Sequence, residues 1–141
     1  MSLPIKNVLL LLLVSVLVLF QTTCDADPVF FPGKQNVRMT NDLGAEMTVH
    51  CKSKDDDLGF HVVPVKGTYG FKFKPNIWWT TQFFCSFKWG TEFHYFDIYI
   101  HERDSRLCAD NECMWSIRPN GPCRRDSTFR SYLCHMWNEN N

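Results

Sequence analysis

Three cysteines set the frame in which this chain can fold. Cys51, Cys85 and Cys113 each lie in a stretch that alternates apolar and polar residues, and each falls on the apolar register. Alternation with period two marks a half-buried β-strand. The longest such stretch puts Trp79, Thr81, Phe83, Cys85, Phe87 and Trp89 on one face, opposite Thr80, Gln82, Phe84, Ser86 and Lys88. Met47, Val49 and Cys51 line the apolar face of Glu46–Ser53, and Cys113, Trp115 and Ile117 that of a late strand. Side chains on these registers point into a core, where a disulfide can tie strands or sheets together. Each bridge contributes about 2–4 kcal/mol, mostly by restricting the unfolded chain.

The remaining pattern agrees. Val37–Asn41 predicts a short strand that ends in the turn Asn41-Asp42-Leu43-Gly44. Phe60–Val65 predicts another, broken at Pro64, so it lies at a sheet edge or ends there. Tyr69, Phe71 and Phe73 alternate with Gly70, Lys72 and Lys74. After Gly90-Thr91 the chain returns through Glu92–His101, with Phe96, Ile98 and Ile100 expected inward and Tyr95, Asp97 and Tyr99 outward. Glu102–Glu112 predicts a charged loop carrying Cys108, and Pro119-Asn120-Gly121-Pro122 a turn. Beyond Cys123 the pattern is weak. Nothing after the N-terminal segment sustains a 3.6-residue period. Seven or eight short strands at regular spacing predict an all-β fold, a small antiparallel β-sandwich stabilised by disulfides.

The first residues read as a leader. Lys6 precedes an apolar run from Val8 to Phe20, short of the roughly 20 residues a membrane span needs but suited to a secretory signal. Cleavage after Ala26 fits the small residues there; cleavage after Thr23 or Cys24 fits as well. The expected organisation is a signal peptide at 1–26 and one domain at 27–141. That cut removes Lys6 and Asp25 from 15 basic and 15 acidic residues, leaving 14 of each. A net charge near zero gives no electrostatic footprint for nucleic acid or an anionic membrane. With Cys24 gone, Cys51, Cys85, Cys108, Cys113, Cys123 and Cys134 form an even set, which behind a signal peptide implies disulfides.

One stretch organises the rest: His50-Cys51-Lys52-Ser53-Lys54-Asp55-Asp56-Asp57-Leu58-Gly59, a strand end, an acidic tip and a turn back into a strand. Together with Val37-Arg38-Met39-Thr40-Asn41, Phe83-Phe84-Cys85-Ser86-Phe87, Phe96-Asp97-Ile98-Tyr99, Cys108, Cys113-Met114-Trp115 and Asn120-Gly121, it resembles the plant self-incompatibility protein family, the secreted S-protein homologues of poppy type. The resemblance covers essentially the whole chain after the leader and implies the same secreted, disulfide-linked β-sandwich. Cys51, Cys85, Cys108 and Cys113 match family positions. Their pairing stays open, because four cysteines allow more than one connectivity. Cys123 and Cys134 lie outside the matched pattern and can form a third bridge.

The chemistry-bearing residues point away from catalysis. Asp55-Asp56-Asp57 lacks the alternate spacing and distant glutamate of a calcium loop, so it reads as a solvated tip. Two histidines converging on a phosphate would suggest a secreted ribonuclease, but His50 and His61 flank the acidic tip, His94 lies on the apolar register and His101 on the outward one. No cofactor, metal, nucleic acid or membrane insertion after leader cleavage is expected, and the domain is expected to be monomeric. The resemblance implies a secreted, apoplastic ligand recognised by a cell-surface receptor, acting in pollen rejection or a related developmental role. The contact loops expected for it are Lys54, Asp55, Asp56, Asp57 and Leu58, and the charged loop through Glu102, Arg103, Asp104, Arg106 and Asp110. Tyr95 and Tyr99 are outward aromatics that could add to a partner surface. A defence or carbohydrate-binding module of the apoplast is the alternative, which exposed aromatic rows on one sheet face would favour.

Overall fold

A computed structural model describes residues 4–22, 32–126, 128 and 130–139. The cleavage region around Cys24 and Ala26 lies outside them. The chain divides into two units, Met1–Phe31 and Pro32–Asn141. In the first, Ile5–Thr22 forms helix α1. Among the described residues no helix is long and apolar enough to cross a membrane.

The second unit is a two-layer sandwich. Its strands are β1 (Gln35–Asn41), β2 (Met47–Lys52), β3 (Asp57–Val63), β4 (Thr68–Phe73), β5 (Gln82–Trp89), β6 (Glu92–Ile100), β7 (Glu112–Arg118), β8 (Gly121–Arg125) and β9 (Tyr132–Cys134). One sheet runs β4-β1-β7-β8-β9 and the other β3-β2-β5-β6. All pairings are antiparallel except β1 with β7, which run parallel. This departs from the wholly antiparallel expectation. The chain leaves the first sheet after β4, forms β5 and β6 in the second, and re-enters beside β1 in the same direction. β3 does end before Pro64 and does form a sheet edge.

The two sheets close on one apolar core. Val37 and Met39 from β1, Trp115 and Ile117 from β7, Met47 and Val49 from β2 and Phe83 and Phe87 from β5 are all buried. Aromatic pairs cross between the layers: Phe71 meets Phe83 at 4.9 Å and Phe96 meets Trp115 at 5.2 Å. Asn41 adds a polar tie. Its fully buried amide donates to Ala45 O at 2.8 Å and Val63 O at 3.0 Å, while its Oδ1 accepts from Leu43 N at 3.0 Å. A buried amide so satisfied fixes where the first turn meets the end of β3.

Cys51, Cys85 and Cys113 face the core, as their registers require. The bridges are Cys51–Cys85, Cys108–Cys113 and Cys123–Cys134. Cys51–Cys85 joins directly opposed residues of β2 and β5, and Cys123–Cys134 those of β8 and β9. Both therefore lie within a single sheet.

Inward–outward expectations fail at Tyr99, Trp79 and His101. Tyr99 is fully buried instead of outward, because the register slips between Phe83 and Cys85 and gives β6 one extra residue, so Ile98 and Tyr99 both turn inward. Burial and the nearby Asp104 carboxylate push its phenol up to about 12. Trp79 precedes β5 instead of opening it and is half exposed at φ 61°. His101, expected outward, is buried at the start of a short helix, α2 (His101–Asp104).

The weakly patterned tail is ordered by contact with both sheets. His135 N donates to Pro122 O and Asn138 N to Tyr95 O, each at 2.9 Å. Trp137 packs on Phe87 and Trp89 and stacks on His94 at 5.0 Å. Gly121 makes this passage possible: at φ 137° a Cβ would lie 1.9 Å from His135 O. Gly121→Ala is therefore expected to cost more than about 2 kcal/mol, from a conformation open only to glycine plus a backbone clash. Urea unfolding checks it; a loss below about 0.5 kcal/mol would show that the tail packs elsewhere.

Candidate functional site

Sheet register brings the expected contact loops to one end of the sandwich. Lys52, at the end of β2, lies opposite Phe84 near the start of β5, and Gln82, which opens β5, lies opposite Ile100 at the end of β6. The β2–β3 tip, the β4–β5 loop and the segment after β6 therefore share one end.

The acidic tip is held by its own polar groups. Ser53 Oγ accepts from Asp56 N at 3.0 Å and Asp55 N at 3.3 Å, and Ser53 N donates to Asp56 O at 2.8 Å. Lys54, Asp55 and Asp56 are left pointing to solvent. Asp57 is not at the tip but opens β3, where its carboxylate meets His50 Nε2 at 2.5 Å and accepts from Gly59 N at 3.0 Å. The His50 contact, then the Gly59 N–H, hold its carboxyl below the ordinary carboxylate range. Leu58 turns partly into the core instead of outward.

The charged segment after β6 is only partly a loop. Helix α2 and a tight turn at Ala109–Asn111 occupy it, and Cys108–Cys113 closes that turn. Glu102 and Arg106 are exposed. Asp104 is wholly buried and accepts from Ile100 N at 2.8 Å, from Arg103 Nε at 2.9 Å and Nη2 at 2.7 Å, and from Arg124 Nη1. Asp104 thus cannot face a partner. Arg103, expected at the contact surface, is drawn inward around it and lies over the Phe96 and Trp115 rings at 5.2 Å.

The β4–β5 loop joins the site unanticipated. Asn76 folds it: its Nδ2 donates to Thr80 Oγ1, its Oδ1 accepts from Thr80 N and its own N–H reaches Thr81 Oγ1, all within 3.1 Å. Trp78 is left 76 % exposed, while Trp79 packs on His101 at 4.8 Å. Two adjacent tryptophans after Pro75-Asn76 were a sequence signal for this, since neighbours in a strand cannot share a face. Between this loop, the acidic tip and β4 lies a cleft of about 990 Å³, lined by Lys54, Asp55, Asp56, Leu58, Phe71, Lys72, Phe73, Lys74, Asn76, Trp78 and Phe83 among others. It takes in the first expected contact loop and not the second.

The histidines are engaged separately. His50 meets Asp57, His61 meets Leu58 O, His94 meets Glu92 and His101 meets Tyr99. Among the described residues no cluster of three or more His, Cys, Asp or Glu could hold a metal. His135 lies by Phe96 and Trp115, and burial, then Arg103 and Arg124, lower its pKa below 6.5. The unfolded chain therefore takes up this proton first. The stability it contributes is complete above 6.5 and is lost as pH falls through the lower folded value. Thermal unfolding from about pH 8 to pH 5 is expected to show a drop in midpoint that His135→Gln reduces; equal slopes for both proteins would refute it.

A two-layer β-sandwich with three intra-sheet or local disulfides and its charged loops gathered at one end is the class of protein these observations define. The sequence profile of the family described as plant self-incompatibility protein S1 matches residues 36–138. S-protein homolog 5 of Arabidopsis thaliana is 57% identical over 102 residues, covering 72% of this chain and 76% of its own. S-protein homolog 2 of the same plant is 44% identical over 117 residues, covering 79% and 73%, and S-protein homolog 20 is 39% identical over 123 residues, covering 86% and 85%. A solved structure of an SPH (self-incompatibility protein homologue) protein, from a family described as widespread, small, highly stable and secreted from plants, superposes with a TM-score of 0.57 at 22% identity, covering 77% of this chain and 97% of its own. The chain belongs to the plant self-incompatibility protein family.

Proposed function

We propose that this protein is exported, loses its leader and acts in the apoplast as a ligand for a cell-surface receptor, in pollen rejection or a related developmental signal. The observation that carries this reading is the placement of the acidic tip and the α2 segment at one end of a rigid sandwich. Pre-ordered loops bind without a large ordering cost, and exposed Lys54, Asp55, Asp56, Glu102 and Arg106 offer a patterned mixed-charge surface of the kind that selects partners. The test is binding of the purified, oxidised protein to intact pollen and other plant cell surfaces, with a reduced and alkylated control. Saturable binding that is lost on reduction, and lost when Lys54, Asp55, Asp56, Glu102 and Arg106 are charge-reversed together, is expected. Binding that survives both changes would refute it.

One observation favours the carbohydrate-binding alternative. Phe60, Val62, Phe84, Phe93 and Tyr95 are exposed on the β3-β2-β5-β6 sheet, with the Phe93 and Tyr95 rings 5.1 Å apart. Retention on cell-wall polysaccharides that Phe84→Ser and Tyr95→Ser abolish would support it. RNA hydrolysis lost on histidine substitution would support the ribonuclease reading.

A further inference from the structure

The cleft has an asymmetry that points to its occupant. Strands β3 and β4 are the neighbouring edges of the two sheets, and they meet where His61 stacks on Tyr69 at 4.2 Å. Towards Leu58 on one strand and Phe73 on the other, they line the cleft. Both faces of β4 line it: Phe71 and Phe73 from the inner face, Lys72 from the outer. The cleft is therefore bounded by the strand's free edge as well as by side chains. A sheet edge presents main-chain N–H and C=O groups that repeat every two residues, the template that an extended chain satisfies by adding as a strand. Phe71 and Phe73 remain only half buried although they pack on Phe83 at 4.9 and 4.7 Å, so apolar surface at the cleft floor is uncovered.

We propose that this edge docks an extended peptide segment of a partner protein, in which apolar residues alternate with acidic ones. Added beside β4, its apolar side chains cover Phe71 and Phe73, and its carboxylates lie on the outer side with Lys72. Period-two complementarity and the main-chain ladder both favour a polypeptide; a saccharide offers neither. Asp55 and Asp56 on the opposite wall exclude a strand that is acidic on both faces. The inference rests on the reading that a partner protein meets this end of the sandwich.

The test uses the full chain, expressed in plant cells and purified, and a peptide of valine alternating with glutamate, matched in length to the 6 residues of β4. Hydrogen exchange of the β4 segment is read by mass spectrometry. The alternating peptide is expected to slow exchange there saturably, and Lys72→Glu, an exposed change that keeps the fold, to weaken the effect at least about fivefold. A peptide of the same composition in block order, and an oligogalacturonide, are expected to give no protection. No protection at millimolar peptide, equal protection by the block peptide, or protection by the oligogalacturonide alone would overturn the inference. Saturable cell-surface binding without peptide protection would sink edge docking and leave the receptor reading standing; peptide protection without cell-surface binding would do the reverse.

Discussion

Asp104→Asn is expected to lower the free energy of unfolding by about 3–5 kcal/mol. The carboxylate is the shared partner of Arg103 and Arg124 and also accepts the Ile100 N–H. Arg103 keeps an outlet, because its Nη2 also donates to Asp97 O at 2.7 Å and its head is partly exposed. Arg124 has no other hydrogen-bond or ion-pair partner for its head among the described residues: its side chain is 2% exposed and Asp104 is its ion-pair partner. Removing the charge strands a guanidinium between the sheets. The cost is the desolvation of that unpaired cation, not the strength of the pair itself. Pairing Asp104→Asn with Arg124→Met should therefore restore most of the loss, since an apolar side chain of similar length fills the space over Trp115. Urea titrations of both variants check this. A single-variant loss under about 1 kcal/mol, or a double variant no better than the single, would show that the cluster is not held by Asp104.

The same cluster shows where the sequence stopped being legible. Strands with clean alternation, from β1 to β7, were readable because a half-buried sheet imposes period two on its residues. The inward cysteines followed from that register alone. Asp104, Arg103 and Arg124 were not readable, since a charged segment reads as solvated unless a counter-ion is known to meet it, and Arg124 lies 20 residues away on a strand too short to show a period. Tyr99 was lost to one extra residue in β6, which reverses the register without changing composition. The tail, too, carries no pattern of its own: Trp137 is placed by His94 and Trp89, and Gly121 by the passing backbone of His135. At the candidate site the acidic tip was visible as a turn between strands. The cleft was not, because it forms from β2–β3, β4 and β4–β5 segments that only sheet topology brings together. Asp57 left the tip for the same reason, claimed by His50 across the hairpin.

Removing the bridges one pair at a time, by alanine at both cysteines, is expected to give graded losses of stability and an inverted order of effects on the loop end. Cys51–Cys85 spans 34 residues, Cys123–Cys134 spans 11 and Cys108–Cys113 spans 5. Loop-closure entropy then predicts losses of about 4, 3 and 2 kcal/mol. Cys51 and Cys85 are fully buried, so their replacement also leaves a small void in the core, which keeps them first. None of these bridges crosses between the layers, so the fold should survive each deletion, held by the apolar core, by Asn41 and by the Asp104 cluster. Binding should follow a different logic. Cys108–Cys113 closes the turn that contains Asp110 and Asn111, both at positive φ, and so anchors the far end of the segment that presents Glu102 and Arg106. Its removal should cost the least stability and the most cell-surface binding, because freeing that segment restores the ordering entropy that the bridge had already removed. Guanidinium unfolding and cell-surface titration of the three double variants separate the two effects. If the losses run in the opposite order of loop length, the bridges act through native packing and not through the unfolded chain. If Cys108→Ala/Cys113→Ala binds like the parent, the bridged turn does not order the contact surface and the Asp104 cluster alone holds α2 in place.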